Sequence, residues 1–244
     1  MKTVVIIPSR LSAKRLPGKP LLKINGLSVI SHVFKKAEEA NIGEVIVATG
    51  DQEIIDDVKL NGGQAILTNK NHKTGTDRIY EALQKIDSVS IDMVMNLQGD
   101  EPLMNIEDIK NLNDQMKDNN SQMGTLASKI TDQKFYEKSN VVKVMTKENL
   151  DQSNFPEALN FMRKISGQIE KIYHHLGIYC YNKETLKNFV SFNQSPNEVK
   201  NNLEQLRALD NGIKINVALA KSSPIGVDTE EDFVAIKKIM EYKS

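Results

Sequence analysis

The sequence predicts an α/β protein built on an open, mostly parallel sheet. Short runs of apolar and β-branched residues, typical of strands buried on both faces, recur at residues 3–7, 45–49, 64–68 and 93–97. Segments with helical periodicity separate them, at residues 27–40, 53–60 and 77–86. Strands that alternate with helices at this spacing form βαβ units, whose strands run parallel.

The second half of the chain is predicted to be richer in strands. Strands are expected at residues 123–130, 141–146, 158–162, 173–181 and 215–220, and helices at 203–209 and 230–242. The polar stretch 147–154 is expected to be a turn. Because no linker, repeat or low-complexity tract interrupts the chain, we predict one domain over residues 1–244 with a strand-rich lobe in its second half.

Composition excludes several classes of function. The 32 basic and 32 acidic residues give no net charge, which disfavours a dedicated nucleic-acid binder. The single cysteine, Cys180, lies in an apolar run and is expected to be a buried strand thiol. The amino-terminal apolar run ends at Pro8, too early for a signal peptide, and no run approaches the length of a membrane span. We therefore expect a cytoplasmic protein that binds neither nucleic acid nor membrane.

The first candidate segment, residues 8–20, follows the carboxyl end of the first strand, where open α/β sheets place ligands. It carries four cations, Arg10, Lys14, Arg15 and Lys19. Their charge complements a triphosphate, and Gly18 allows close approach of the backbone. The segment is neither a Walker A loop, since Pro20 follows the lysine, nor a GxGxxG turn, which disfavours kinases, ATPases and simple dehydrogenases. A solvated basic loop is the alternative interpretation.

The second segment, residues 72–78, follows the third predicted strand and opens a helix. Thr76 is predicted to be the N-cap, and Thr74, Gly75 and Thr76 offer hydrogen bonds to a base or a ribose. An ordinary helix start is the alternative interpretation.

Two acidic loops complete the pattern. Asp100, in residues 96–102, is a candidate ligand of Mg²⁺, and Gln98 a candidate contact to a base or an acceptor. Asp228, in residues 226–229, also follows a strand-like segment. Asp228 is also expected to cap the last helix. Two loop carboxylates that share one metal beside a triphosphate are the functional interpretation.

Together these segments resemble the CMP-Kdo synthetases, or 3-deoxy-manno-octulosonate cytidylyltransferases. Residues 6–21 are similar to that family's IIPARxxSxRLPGKPL motif, 72–78 to HxSGTxR with Thr74 in place of serine, and 96–102 to NxQGDEP. HxGIY, LEQLRxL and GVDT motifs follow in order at residues 175–179, 203–209 and 226–229. Six matches in register span nearly the whole chain.

The resemblance implies a three-layer fold of the nucleotide-diphospho-sugar transferase type, with a nucleotide-binding half over residues 1–122 and a sugar-binding and dimerisation half over residues 123–244. It implies the reaction of CTP with Kdo, an acidic 2-keto sugar, to give CMP-Kdo and pyrophosphate. It also implies Mg²⁺, a homodimer and a place in lipopolysaccharide synthesis. Charge that grows on the phosphoryl oxygens during this reaction would be stabilised by fixed cations and the metal ion.

The resemblance also assigns residues. Lys19, Arg15 and Asp100 are expected to be catalytic. Nucleotide contacts are expected from Pro8, Ser9, Arg10, Arg15, Lys19, Thr74, Gly75, Thr76 and Gln98. Sugar contacts are expected from Arg78, Gln98, Arg163, His175 and Glu204. The expected metal ligands are Asp100 and Asp228. His175 lies in an apolar strand, so a core histidine is equally consistent with the residues alone.

One stretch departs from the family pattern. Where the family carries YFSRxxIPxxR, residues 159–167 keep Arg163 but have Met162 in place of serine and lack the Ile-Pro element. Because this stretch would lie near the acceptor, 8-amino-Kdo or another acidic 2-keto sugar, such as a nonulosonate, is an alternative substrate. A non-catalytic nucleotide-binding regulator is the alternative outside enzymes. All of these interpretations require Arg15 and Lys19 to lie beside Asp100 and Asp228.

Overall fold

The computed structural model describes residues 1–13, 15–86, 90–131, 136, 138–165 and 170–242. Lys14 of the basic segment, and residues 166 and 167 of the stretch that departs from the family, lie outside the described residues. The chain divides into two compact units. Unit 1 comprises Met1–Ile109 and Pro224–Ser244, and unit 2 comprises Lys110–Ser223. The prediction of a single domain stays a prediction.

The secondary structure follows the predicted alternation. The strands are β1 (Thr3–Ser9), β2 (Lys23–Ile24), β3 (Leu27–Ser28), β4 (Gly43–Thr49), β5 (Ala65–Leu67), β6 (Met93–Asn96), β7 (Met123–Ser128), β8 (Lys143–Thr146), β9 (Ala158–Met162), β10 (Ile172–Asn182) and β11 (Ile215–Leu219). The described α-helices are α1 (Val29–Ala40), α2 (Gln52–Leu60), α3 (Gly75–Lys85), α4 (Ile106–Asp118), α5 (Lys183–Ser191), α6 (Pro196–Asn201), α7 (Gln205–Asp210) and α8 (Glu230–Tyr242). Lys19–Leu21 is a 3₁₀-helix. No helix in the described ranges is both long and apolar enough to cross a membrane.

Unit 1 contains a parallel sheet with β1 at its centre. β1 pairs with β4 from Thr3↔Gly43 to Ser9↔Thr49, and with β6 on its other side. β5 extends the sheet beyond β4, also in parallel. The residues of β1 and β6 are almost all buried, as the continuous apolar runs predicted. The predicted parallel sheet is confirmed, and the carboxyl ends of these strands lie along one edge.

The start of α1 differs from its prediction. Leu27 and Ser28 form the second strand of a small hairpin with Lys23 and Ile24, so the helix begins at Val29. The turn consists of Asn25 and Gly26, both with positive φ, +50° and +79°. This Asn-Gly pair is a standard hairpin signal, since both residues tolerate positive φ.

Unit 2 contains the strand-rich part of the chain. β7 pairs in parallel with β11 and antiparallel with β10, and β8 lies antiparallel between β10 and β9. Gly124 in β7 is required for packing, since a Cβ there would lie 2.6 Å from the sulfur of Met116 in α4. Cys180 is buried in β10, as predicted, and burial raises its pKa to about 12.

Candidate active site

Three of the predicted segments meet around Pro8, at the carboxyl end of β1. A Cβ on Gly75 would lie 3.4 Å from the ring of Pro8, and a Cβ on Gly99 would lie 2.9 Å from the carbonyl oxygen of Pro8. Any side chain at Gly99 would therefore collide with the backbone of β1. This close approach brings the loop after β6 and the start of α3 to the base of the basic segment.

The charged side chains of the site form one cluster within unit 1. Lys19 Nζ lies 2.5 Å from Asp100 Oδ2 and 3.7 Å from Asp228 Oδ1. It also donates a hydrogen bond of 2.8 Å to the carbonyl oxygen of Val227. The Arg15 guanidinium donates to Asp228 Oδ2. The predicted convergence of these two cations and two carboxylates is therefore confirmed.

Backbone contacts and a small apolar cluster hold the two carboxylates in place. The Val227 amide donates to the Asp100 carbonyl at 2.8 Å, which joins the two acidic loops. The Val227 side chain is fully buried against Ile24, Val29 and Ile236, next to Asp228. The hydrophobic packing of β2, α1 and α8 therefore fixes the position of Asp228.

Asp228 is not the N-cap of the last helix, contrary to prediction. Thr229 takes that position: its Oγ1 accepts from the Asp232 amide at 3.2 Å, and Asp232 Oδ2 accepts from the Thr229 amide at 2.9 Å. This reciprocal arrangement satisfies the start of α8 without Asp228. The Asp228 carboxylate instead faces the two cations.

Lys19 marks a place where a metal ion fits. Two carboxylates approach one small cation there, and carboxylate oxygens are the donors that Mg²⁺ prefers. Within the described ranges there is no group of three or more His, Cys, Asp or Glu side chains suited to a metal. The remaining ligands would then be triphosphate oxygens and water, which is usual for Mg²⁺ bound with a nucleotide.

Glu101 was not predicted to be a site residue, although it belongs to the same motif as Asp100. Its Oε2 is buried and has no hydrogen-bond partner among the described residues. Burial and the neighbouring Asp100 raise the pKa of Glu101 to about 8, and Lys19 opposes that rise only in part. Glu101 and Gln98 line one small cavity together with Val33, Lys36, Leu97, Met104 and Ile109.

The start of α3 differs from prediction by two residues. Thr74, not Thr76, is the N-cap: its hydroxyl accepts from the Asp77 amide, and Asp77 accepts in return from the Thr74 amide. Thr76 is buried at the second position of the helix. Gly75 is exposed, so the helix start that faces Pro8 remains accessible.

Two predicted nucleotide contacts and one predicted sugar contact lie near this edge of unit 1. Ser9 Oγ is buried without a hydrogen-bond partner among the described residues, and Arg10 is exposed. Arg78 is buried, and its guanidinium donates to Thr68 Oγ1 at 2.6 Å and to the Asn69 carbonyl at 3.1 Å. Burial lowers the pKa of Arg78. Arg78 thus holds the loop that follows β5, and its contact with a sugar stays a prediction.

Three of the five predicted sugar contacts belong to unit 2. His175 is buried, with Nε2 3.0 Å from Thr125 Oγ1 and its ring edge-on to Phe161, and burial lowers its pKa to about 3. Arg163 donates to the carbonyl oxygens of residues 139, 201 and 202. Glu204 Oε1 lies 3.9 Å from Arg207 Nη2. His175 and Arg163 therefore have structural contacts, and the contacts of all three side chains with a sugar stay predictions.

Comparisons with known proteins agree with the chemistry of this site. A family model described as cytidylyltransferase matches residues 4–215. The 3-deoxy-manno-octulosonate cytidylyltransferases of Rhodopseudomonas palustris and Thermodesulfovibrio yellowstonii are each 41% identical to this chain, over 98% of both partners. A solved structure of a CMP:2-keto-3-deoxy-manno-octonic acid synthetase complexed with CTP has a TM-score of 0.91 and 33% identity, and the match covers 100% of both chains. A 4-diphosphocytidyl-2C-methyl-D-erythritol synthase from Anaerococcus prevotii, at 15% identity and a TM-score of 0.64, shares the fold.

Proposed function

Because the chain belongs to the 3-deoxy-manno-octulosonate cytidylyltransferase family, we propose that it transfers the cytidylyl group of CTP to Kdo, releasing pyrophosphate. The observation that carries this proposal is the contact of Lys19 with both Asp100 and Asp228. Segments that are far apart in the sequence supply the cations and the carboxylates that a magnesium–triphosphate complex requires. A non-catalytic nucleotide-binding protein has little need for two carboxylates that bind a metal ion.

The reaction forms a bond between a sugar oxygen and the α-phosphorus and breaks the bond from that phosphorus to pyrophosphate. Arg15 and Lys19 would hold the phosphate oxygens, and Lys19 would face the charge that grows as the bond breaks. Asp100 and Asp228 would hold Mg²⁺. When bound, the ion would neutralise charge on the phosphates and on the leaving group.

The nucleoside would lie against the edge formed by Pro8 and the start of α3. Gly75 is exposed there, and Ser9 Oγ, which has no hydrogen-bond partner among the described residues, can bond to a ligand. We propose that Pro8, Ser9, Thr74, Gly75 and Thr76 shape the cytidine pocket and that Gln98 contacts the nucleotide or the acceptor. Arg10 would add a third cation for the triphosphate.

The sugar acid would be recognised by Gln98, Arg78, Arg163, His175 and Glu204. Of these, Arg163 is bound to three backbone carbonyls, and an arginine that binds a carboxylate uses the same donors. We therefore propose the five residues as separate candidates. A substitution of Arg163 would affect folding as well as sugar affinity. The cellular setting would be the cytoplasm, with a homodimer that supplies CMP-Kdo for lipopolysaccharide synthesis.

The proposal is tested by measuring pyrophosphate release with each of the four nucleoside triphosphates, with Kdo present and absent. We expect release only with CTP, Mg²⁺ and Kdo together. Parallel assays with 8-amino-Kdo and a nonulosonate determine the acceptor. Asp100→Ala should abolish turnover, whereas Asp56→Ala, which removes an exposed carboxylate on α2, should not. Comparable turnover for the two variants, or CTP binding without pyrophosphate release in the wild type, would contradict the proposed function.

A further inference from the structure

Asp51 stands at the N-cap of α2 but does not cap it. Its side chain makes no hydrogen bond to the first turn of that helix, although aspartate is among the residues that cap best. The carboxylate, in a residue only 4% exposed, is directed elsewhere: Oδ2 accepts a hydrogen bond of 2.8 Å from the backbone amide of Leu11. A buried carboxylate that leaves its own helix uncapped therefore holds the basic segment, forty residues away in the sequence.

Leu11 is the point at which the basic segment folds back on itself. Its carbonyl oxygen accepts from the amide of Ala13 and from the amide of Gly18, both at 2.9 Å. Gly18, with φ +74°, then turns the chain into the short helix that begins at Lys19. A continuous series of hydrogen bonds thus connects Asp51 to the residue that precedes Lys19, and Leu11 itself follows Arg10 directly.

The surroundings of Asp51 are cationic. Lys70 Nζ lies 3.1 Å from its Oδ1. The charge of Arg78 also lowers the pKa of Asp51, and the charge of Arg10 in turn lowers the pKa of Arg78. Burial raises the pKa of Asp51, but the Leu11 amide and Lys70 outweigh this effect, so the pKa is lowered overall and the carboxylate is charged at neutral pH. Because Lys70 is 71% exposed, its ion pair contributes little, and the Leu11 hydrogen bond is the dominant local contact.

We propose that Asp51 is a positioning residue for the triphosphate: through the Leu11 amide it fixes the turn that carries Arg10 and presents Lys19. The inference rests on the proposed function, because it assigns Asp51 to the same nucleotide site. Asp51 itself touches neither Arg15 nor the carboxylates in the described contacts, so its effect reaches the site through the backbone of the loop. Loss of the hydrogen bond should weaken CTP binding without changing the affinity for the sugar.

The test compares three variants of the full chain. Asp51→Ala removes the acceptor and should raise both the KM for CTP and the Kd for CTP about tenfold, the scale of one lost hydrogen bond to a charged group. Asp51→Asn keeps an acceptor oxygen and should stay within about threefold of the wild type. Asp57→Ala is the matched control, because Asp57 lies on the same helix but accepts from Ser28 and Ser31. It should lower the melting temperature without changing either CTP constant.

Calorimetric CTP binding decides the inference separately from turnover. Absence of pyrophosphate release in the wild type would contradict the proposed function alone, since CTP affinities can still be compared. Equal CTP affinities for Asp51→Ala and the wild type would overturn the positioning role. So would an Asp51→Asn affinity as low as that of Asp51→Ala, because charge rather than the hydrogen bond would then be responsible. A parallel loss of CTP affinity in Asp57→Ala would reduce the effect to general destabilisation.

Discussion

Removal of Lys19 should have two opposite effects: slower turnover and tighter binding of metal. The Lys19 ammonium group lies between Asp100 and Asp228, at the place proposed for Mg²⁺. A metal ion that binds alone must first displace it. In Lys19→Ala nothing has to be displaced, so the carboxylates are open to the ion.

The magnitude follows from the burial of the contacts. Lys19 is 13% exposed and Asp100 is 32% exposed, so their charge-assisted hydrogen bond should be worth about 1.5–3 kcal/mol. At about 1.4 kcal/mol per factor of ten, Mg²⁺ should bind Lys19→Ala about 10- to 100-fold more tightly in the absence of nucleotide. Arg15 and Asp228 are 63% and 48% exposed, so their ion pair is worth about 0–1 kcal/mol. Arg15→Ala should therefore raise the affinity for Mg²⁺ by no more than about fivefold.

The assay is titration of the nucleotide-free protein with Mg²⁺ by calorimetry, or with Mn²⁺ by electron paramagnetic resonance. Turnover of Lys19→Ala should fall by about two orders of magnitude or more, since a charge that faces the transition state is lost. Lys129→Ala, which breaks the exposed ion pair with Asp151, controls for the loss of one positive charge and should change neither property. Metal affinity in Lys19→Ala that is equal to or below the wild-type value would refute the assignment of Asp100 and Asp228.

Two further predictions concern stability. The pKa of His175 is about 3 when folded and near 6.5 when unfolded, so the unfolded chain binds the extra proton and stability falls as pH drops from about 6.5 towards 3. Between pH 7 and pH 5 the titration of His175 should lower the free energy of unfolding by about 2 kcal/mol. In urea unfolding, His175→Gln should not show this loss. If the pH dependence of His175→Gln equals that of the wild type, His175 is not neutral and buried in the folded protein. Arg207 and Glu198, 4% and 5% exposed and 2.5 Å apart, form a buried pair, so Arg207→Met should lower the free energy of unfolding by about 3–5 kcal/mol. Urea unfolding should show recovery when Glu198→Leu is added, and no recovery would mean that the stranded carboxylate is not the cause.

The parallel sheet was predictable because its strands are buried on both faces and therefore appear as continuous apolar runs. The Asn25–Gly26 hairpin was not predicted, because its turn signal is only two residues long and the residues directly after it, 27–40, have helical periodicity. Helix α4 was missed for a different reason. Its only buried apolar residues are Ile109, Leu112 and Met116, within a sequence rich in Asn, Asp and Lys. So narrow an apolar stripe indicates a helix only once its packing partner is known.

Charge type and strand position made Arg15, Lys19, Asp100 and Asp228 candidates, and the family resemblance assigned them to one site. The predicted capping residues lie one or two positions from the observed ones, because several threonines and aspartates with similar capping ability are close together near each helix start. Arginine roles were less predictable still. The guanidinium groups of Arg78 and Arg163 bind backbone carbonyls with the same donors that would bind a carboxylate, and the sequence does not distinguish the two partners.

The charge balance of the cluster has a consequence for the order of binding. Arg15 and Lys19 offset Asp100 and Asp228, so these four side chains together carry no net charge. Mg²⁺ alone would add two positive charges beside Lys19, and a triphosphate alone would add roughly three to four negative charges beside two carboxylates. Each ligand removes the repulsion that opposes the other, because phosphate oxygens attract the two cations away from the carboxylates that the metal needs. Metal and nucleotide should therefore bind with positive coupling, and the coupling should shrink in Lys19→Ala, whose carboxylates are already open.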